Sequence, residues 1–256
     1  MTIMKLGRRG IGLVIILLAW QAAVSFGGIS RNFLPSPVDA AEAFIKLLMS
    51  PDVVAAEFMS MSRAILGLSL ATFLGIGLAV AGTLIRPIRY MIEPWTELLR
   101  PIPPAAIVPV AIFKLGIGTA LYMFIITISA TWPIYLSTVA ALTGVNDTLL
   151  RTGRAFGCGQ GALLYRVMLP SALPEIFVGI RVAAGISLIA TVVTEMLAGR
   201  NGIGYLIFYK AFALQVADVI ALTVICGING IILTQLVGLV RIFATGWHDR
   251  MVRGER

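Results

Sequence analysis

Arg151-Thr-Gly-Arg-Ala-Phe-Gly157-Cys-Gly-Gln-Gly-Ala-Leu-Leu-Tyr-Arg-Val167-Met-Leu-Pro170, continuing into Ser171-Ala-Leu-Pro174, is the longest polar and basic interruption of an otherwise apolar chain. A chain that lives in a bilayer has to present such a stretch to water. Its local pattern is two short helices with a break. Asn146 or Asp147 caps the first, and glycines 157, 159 and 161 interrupt the pattern before residues 162–168 resume it. Gly157 suits a sharp turn, because a residue without Cβ enters positive φ freely. In the second piece Leu163, Leu164 and Val167 share one helical face beside Arg166, which reads as an exposed apolar docking face, and Pro170 ends that helix.

Composition decides the setting. Hydrophobic residues make up 59% of the 256, charged ones only 12%, and the mean hydropathy is +0.96, more apolar surface than a soluble domain hides from water. The net charge of +8 does not point to nucleic acid, because no soluble basic stretch is long enough to build a groove, so topology explains it better. Cys158 and Cys226 form no disulfide framework, one falling in the polar loop and the other in an apolar run. A single His248 and the lack of a phosphate-cradling Gly-rich loop leave no metal or nucleotide site in the chain.

Uncharged runs of about 20 residues cross a hydrocarbon core of roughly 30 Å. Six are expected: 11–28, 64–85, a broken one within 94–113, 121–142, 173–198 and 219–240. The first follows Lys5, Arg8 and Arg9 as a signal peptide would, but it ends in Val24-Ser-Phe-Gly-Gly without a small-x-small cleavage site, so it is read as a retained helix. The third is interrupted by Pro101, Pro103, Pro104 and Pro109. Between Arg100 and Lys114 it spans only about 20 Å at 1.5 Å per residue, which predicts a broken helix near a water-filled path. An amphipathic piece at 38–49 is expected on the outer surface. Gly75-x-Gly77 is expected to let helices approach closely.

Basic residues choose the orientation. With the N-terminus inside, thirteen fall on the cytoplasmic side, Arg86, Arg89, Arg100, Arg151, Arg154 and Arg166 among them, against five outside, Arg31, Lys46, Lys114, Arg200 and Lys210. The positive-inside rule therefore puts both termini and the polar loop in the cytoplasm. Arg63 marks the outer end of the second span and is read as snorkelling to the headgroups. Arg181 and Glu195 fall in the fifth span, fourteen positions or about 21 Å apart, so each needs a separate partner, and both are possible pathway residues. Trp20, Trp95, Trp132 and Trp247 are read as interfacial anchors, and 199–218 as a polar return.

Gly157, nine residues, then Val167-x-Leu169-Pro170 resembles the EAA loop of importer-type ABC transporter permeases, although Arg151-Thr152-Gly153 stands where that pattern has Glu-Ala-Ala. The flanks carry the resemblance further: Phe33-Leu-Pro-Ser-Pro, Arg100-Pro-Ile-Pro-Pro-Ala, Trp132-Pro-Ile, Pro170-Ser-Ala-Leu-Pro-Glu-Ile-Phe-Val-Gly-Ile-Arg181, Glu195-Met and Gly202-Ile-Gly-Tyr205 are similar to the sulfonate, taurine and nitrate branch. The resemblance implies an all-α membrane protein of the type I importer (MetI-like) fold with about six transmembrane helices, a single permease domain over 1–256 with a coupling loop at 145–170.

It further implies ATPase coupling through Arg151, Gly157, Leu163, Leu164, Val167, Leu169 and Pro170. The implied partners are an ATP-binding cassette ATPase that binds ATP and Mg, a second permease copy or paralogue, an extracytoplasmic solute-binding protein and membrane lipid, and the implied cargo is a small solute, an anion such as a sulfonate, taurine or nitrate or, as for some members of that branch, a heterocyclic vitamin precursor. This chain would hold no cofactor and catalyse nothing in the inner (plasma) membrane. The rival from another class is a self-sufficient secondary transporter or channel, for which the spans offer few ionisable groups to bind a coupling ion.

Overall fold

The structure is a computed structural model that describes the backbone of residues 2–26 and 33–253, with side chains over 14–26 and 33–246. The expected basic flank of Lys5, Arg8 and Arg9, together with Arg31, Trp247 and the basic tail, lies outside the described side chains.

The described elements are all helical. They are α1 (Thr2–Phe26), α2 (Pro37–Leu48), α3 (Pro51–Leu84), α4 (Arg86–Leu99), α5 (Pro104–Leu115), α6 (Thr119–Thr143), α7 (Asp147–Ala155), α8 (Gln160–Leu163), α9 (Leu169–Ala198), α10 (Ile203–Phe212) and α11 (Val216–Arg253). A π-helical turn, Leu164–Met168, joins α8 to α9.

At the centre α6 lies against both α3 and α9, and α11 closes the group against α9. Glycines set the close contacts. A Cβ at Gly75 would stand 2.9 Å from Ile134 Cβ, one at Gly67 would stand 2.7 Å from Ile126 Cβ, and one at Gly179 would strike Ser137. Gly75 therefore serves close approach as expected, whereas Gly77 faces open space, and the second glycine of the seam is Gly67, two turns earlier.

The same contacts give a direction. Gly67 meets Ile126 and Gly75 meets Ile134, so α3 and α6 advance together and run parallel. Parallel neighbours need the chain to return between them, and only α4 and α5 are available to carry it. These two helices meet at a bend of 108° at Pro101 to Pro103. The expected six spans are corrected accordingly. Among the described residues four helices are long and apolar enough to cross a membrane (Pro51–Leu84, Thr119–Thr143, Gln160–Ala198 and Val216–Gly246), or five with the bent pair as one span. The prolines break the third expected span as predicted. The first expected span, 11–28, lies partly outside the described residues, whose apolar part in α1 is Val14–Phe26.

Large apolar side chains stand out from the bundle, with Phe73, Phe113 and Phe243 each more than three-quarters exposed. Water forbids such a surface and hydrocarbon welcomes it. The return at 199–218 is not merely polar: α10 fills it, with Ile203 and Ile207 buried against Leu47, Val53 and Leu222. The amphipathic α2 begins with a capping box between Ser36 and Asp39 and also packs on α11, burying Ala40 and Leu47.

Candidate functional site

The polar loop folds as two helices with a glycine break. Asn146 accepts from Thr148 N at 2.8 Å to cap α7. Gly157 sits at φ +80 with its amide donating to the Arg154 carbonyl at 2.9 Å, so the turn uses the left-handed conformation that a side chain disfavours. After it the chain does not stop at Pro170. Residues 160–198 form one continuous rod, because the π-turn at Leu164–Met168 widens the helix just ahead of the proline. Pro170 lacks an amide and its ring crowds the carbonyl four residues back, and Leu169 N instead reaches the Leu164 carbonyl five residues back. The expectation that Pro170 ends the helix is thereby corrected.

The expected exposed face is corrected as well. Leu163 and Leu164 are buried, at 6% and 1% exposure, and Val167 is half-buried. They turn inward: Leu163 and Val167 pack on α7 at Gly153, where a Cβ would lie 2.7 Å from Leu163 Cδ1. Leu164 belongs to the core formed with Leu142, Ala172 and Ile176. What stands out instead is Phe156 at 84%, Tyr165 at 65% and Leu149 at 48%, among exposed Arg151, Arg154 and Arg166. Leu169 and Pro170 are half-buried at the head of α9.

A cavity of about 730 Å³ lies between the α4–α5 bend, α6 and α9. Pro101, Pro103 and Pro104 form one wall, Trp132, Pro133 and Ser137 a second, and Val178, Val182, Ile186 and Ile189 the third. Trp132 is thus a mid-helix wall residue rather than an interfacial anchor, while Trp95 is exposed and Trp20 donates to the Pro35 carbonyl at 3.1 Å. The lining carries one charged residue, Arg100. Arg181 is exposed on α9, between the lining residues Val178 and Val182, and has no hydrogen bond or ion pair among the described residues. At the centre of a lipid-facing helix an arginine costs roughly 2.5–3.5 kcal/mol on insertion scales, so this face of α9 has reason to avoid lipid.

Glu195 does not line that cavity. It is wholly buried at the other end of α9, where Arg63 Nη1 donates to it at 2.7 Å, Ser60 Oγ at 2.8 Å and Gly204 N at 3.0 Å. Arg63 is no snorkelling residue. Its other nitrogen donates to Asn201 Oδ1 at 2.6 Å, and its guanidinium stacks 4.0 Å above the Tyr122 ring. The glycines around Glu195 make the room: Gly202 holds φ +100, and a Cβ there would run into the carboxylate. Sequence reasoning placed both charges but not their pairing, although an acid at the end of a span just ahead of Gly202-x-Gly204 was a signal for it. Arg181 and Glu195 remain apart, as their spacing required.

Among the described residues no group of three or more His, Cys, Asp or Glu is placed to hold a metal ion, and Cys158 and Cys226 are both free.

Comparison with known proteins identifies the family. The model of the binding-protein-dependent transport system inner membrane component matches residues 71–254. The putative aliphatic sulfonates transport permease protein SsuC of Escherichia coli (strain K12) is 31% identical over 210 residues, covering 82% of this chain and 80% of that protein. The nitrate import permease protein NrtB of Synechocystis sp. is 29% identical over 248 residues, covering 92% and 88%. Among solved structures, a chain of the MetNI methionine ABC transporter in an inward-facing conformation aligns with a TM-score of 0.67 at 16% identity, over 77% of this chain and all of that one, which supports the same all-α multi-pass fold. The chain belongs to the binding-protein-dependent transport system inner membrane components: it is a non-catalytic permease subunit of an ABC-type importer, not a self-sufficient transporter or channel.

Proposed function

We propose that this chain forms the path by which a small anion, of the sulfonate, taurine or nitrate kind, is imported, and that residues 145–170 couple that path to a separate ATPase. One observation carries the proposal. The segment after Gly157 is continuous with α9, and α9 forms a wall of the cavity, so a push on the loop is delivered along a rod to the path itself. The matched relatives named for nitrate and sulfonate support an anionic cargo.

In this account the ATPase meets the exposed surface of Phe156, Tyr165 and Leu149 with Arg151 and Arg154 at its edge. Gly157 is the hinge between the two helices. Leu163, Leu164 and Val167 act from within, fixing the loop to the bundle, and Leu169 and Pro170 form the junction that passes movement to α9. The ATPase binds ATP and Mg, a solute-binding protein delivers cargo from outside, and a second permease, identical or paralogous, completes the path. The excess of basic residues around the loop supports both termini and the loop facing the cytoplasm of a cell whose inner or plasma membrane holds the complex.

Reconstitution tests the proposal. Liposomes containing this chain, its ATPase and its binding protein are expected to accumulate nitrate, taurine or an alkanesulfonate only with ATP, and to do nothing when the ATPase is left out. Uptake by the permease alone contradicts it.

A further inference from the structure

We infer that Arg181 is the anion-holding and charge-selecting group of the path, the residue that engages the negative group of the passing solute at mid-depth. The inference rests on the permease function proposed above and assigns a residue to its selectivity.

Depth comes from packing. Gly179 sits against Pro133 and Ser137 of α6, a helix that runs from Thr119 to Thr143, so Arg181, two residues further along α9, lies near the middle of the bundle's length. Side comes from burial. Ile180, Ala183, Ala184 and Ser187 face the core, while Val178, Arg181, Val182 and Ile189 form an exposed stripe at helical spacing. Three of those four, Val178, Val182 and Ile189, line the cavity.

A guanidinium at that depth has to meet something polar, because hydrocarbon solvates no charge. Nothing on this chain does so among the described residues. Glu175, the one acid on the same stripe, stands six positions or about 9 Å away along the axis toward the loop. The cavity lining contains no carboxylate, and its single charge is Arg100, also basic. The local field is therefore positive, attracting anions and repelling cations. The planar fork of an arginine pairs two N–H groups with two oxygens, which matches a sulfonate, a nitrate or a carboxylate. An exposed cation with no partner among the described residues, flanking a mid-depth wall at Val178 and Val182, is a site for a partner that comes and goes.

The test uses the whole complex with its ATPase and binding protein in liposomes, with nitrate, taurine and ethanesulfonate as probes. At matched assembly, Arg181→Gln is expected to lower uptake about tenfold below saturation while ATP hydrolysis holds within about twofold, and Arg181→Lys, which keeps the charge but not the planar fork, to give uptake between the wild type and Gln. In a Cys158→Ser, Cys226→Ser background, Arg181→Cys is expected to react with water-soluble thiol reagents. Attaching aminoethylthiol to it, which restores a cation, is expected to recover uptake, and attaching neutral methylthiol is not. Should the cysteine variant fail to assemble, the comparison of Lys with Gln decides. Equal uptake by wild type and Arg181→Gln, equal loss in Lys and Gln, or a cysteine that no aqueous reagent reaches overturns the role of Arg181 alone. A wild-type complex that moves only solutes without a negatively charged group overturns the anion reading and this role together.

Discussion

Arg63 and Glu195 stand 132 positions apart in the chain, and their side chains meet at 2.7 Å with the carboxylate wholly buried. Through Ser60 and Asn201 the pair ties α3 to α9 and to the turn into α10, and Tyr122 brings in α6. It closes the end of the bundle opposite the polar loop.

Removing Glu195 leaves the mostly buried Arg63 without its counter-charge. Glu195→Ala is therefore expected to destabilise the permease by about 3 kcal/mol, because Ser60 Oγ and the Gly204 amide lose their acceptor and Arg63, which keeps hydrogen bonds only to Asn201, loses its counter-charge. Arg63→Met with Glu195→Leu, which leaves no buried charge, is expected to recover much of that loss. Thermal unfolding of the purified complex measures both. A melting temperature unchanged in Glu195→Ala contradicts the assignment.

The second prediction separates the contact surface of the loop from its internal packing. Phe156→Asp touches a side chain that is 84% exposed, so it is expected to leave folding intact and to weaken ATPase co-purification by about tenfold, near the lower end of what burying an aromatic contributes. Leu164→Asp places a charge in the core beside Leu142 and Ile176, so it is expected to lower the yield and the melting temperature of the permease itself. Exposed Arg151→Glu changes only a surface charge, worth about 0–1 kcal/mol, and is expected to weaken docking least. If Leu164→Asp gave a stable permease that merely lost its ATPase, the inward packing described here would be wrong.

Much of this was legible in the residues, for physical reasons that differ by element. The polar loop was legible because charge in an apolar chain has few places to go, and Gly157 because sharp turns use residues without Cβ. The α4–α5 break was legible in Pro101, Pro103 and Pro104, each of which removes a backbone donor. Helical spacing correctly put Leu163 and Val167 on one face, but spacing says nothing of which way that face turns. Direction was decided by Gly153, which offers the only Cβ-free surface of α7 for Leu163 to rest on. The Arg63–Glu195 pair was hidden for another reason: long-range partners are fixed by how α3 and α9 cross, and crossing is a property of the whole bundle. The prolines foretold the break in the third span but not its angle, since a 108° turn divides an apolar run without changing its composition.

If Gly157 is the hinge through which ATP hydrolysis moves α9, as proposed above, the amount of solute moved per ATP hydrolysed has to fall in a Gly157→Val variant. A β-branched residue at φ +80 is a genuine outlier, disfavoured by about 1–2 kcal/mol, so the turn is expected to shift while the bundle, which Gly157 does not touch, stays folded. Normal assembly with the ATPase, continued hydrolysis and at least about a tenfold fall in solute moved per ATP are expected. A wild-type ratio of transport to hydrolysis in an assembled Gly157→Val complex would contradict the hinge role.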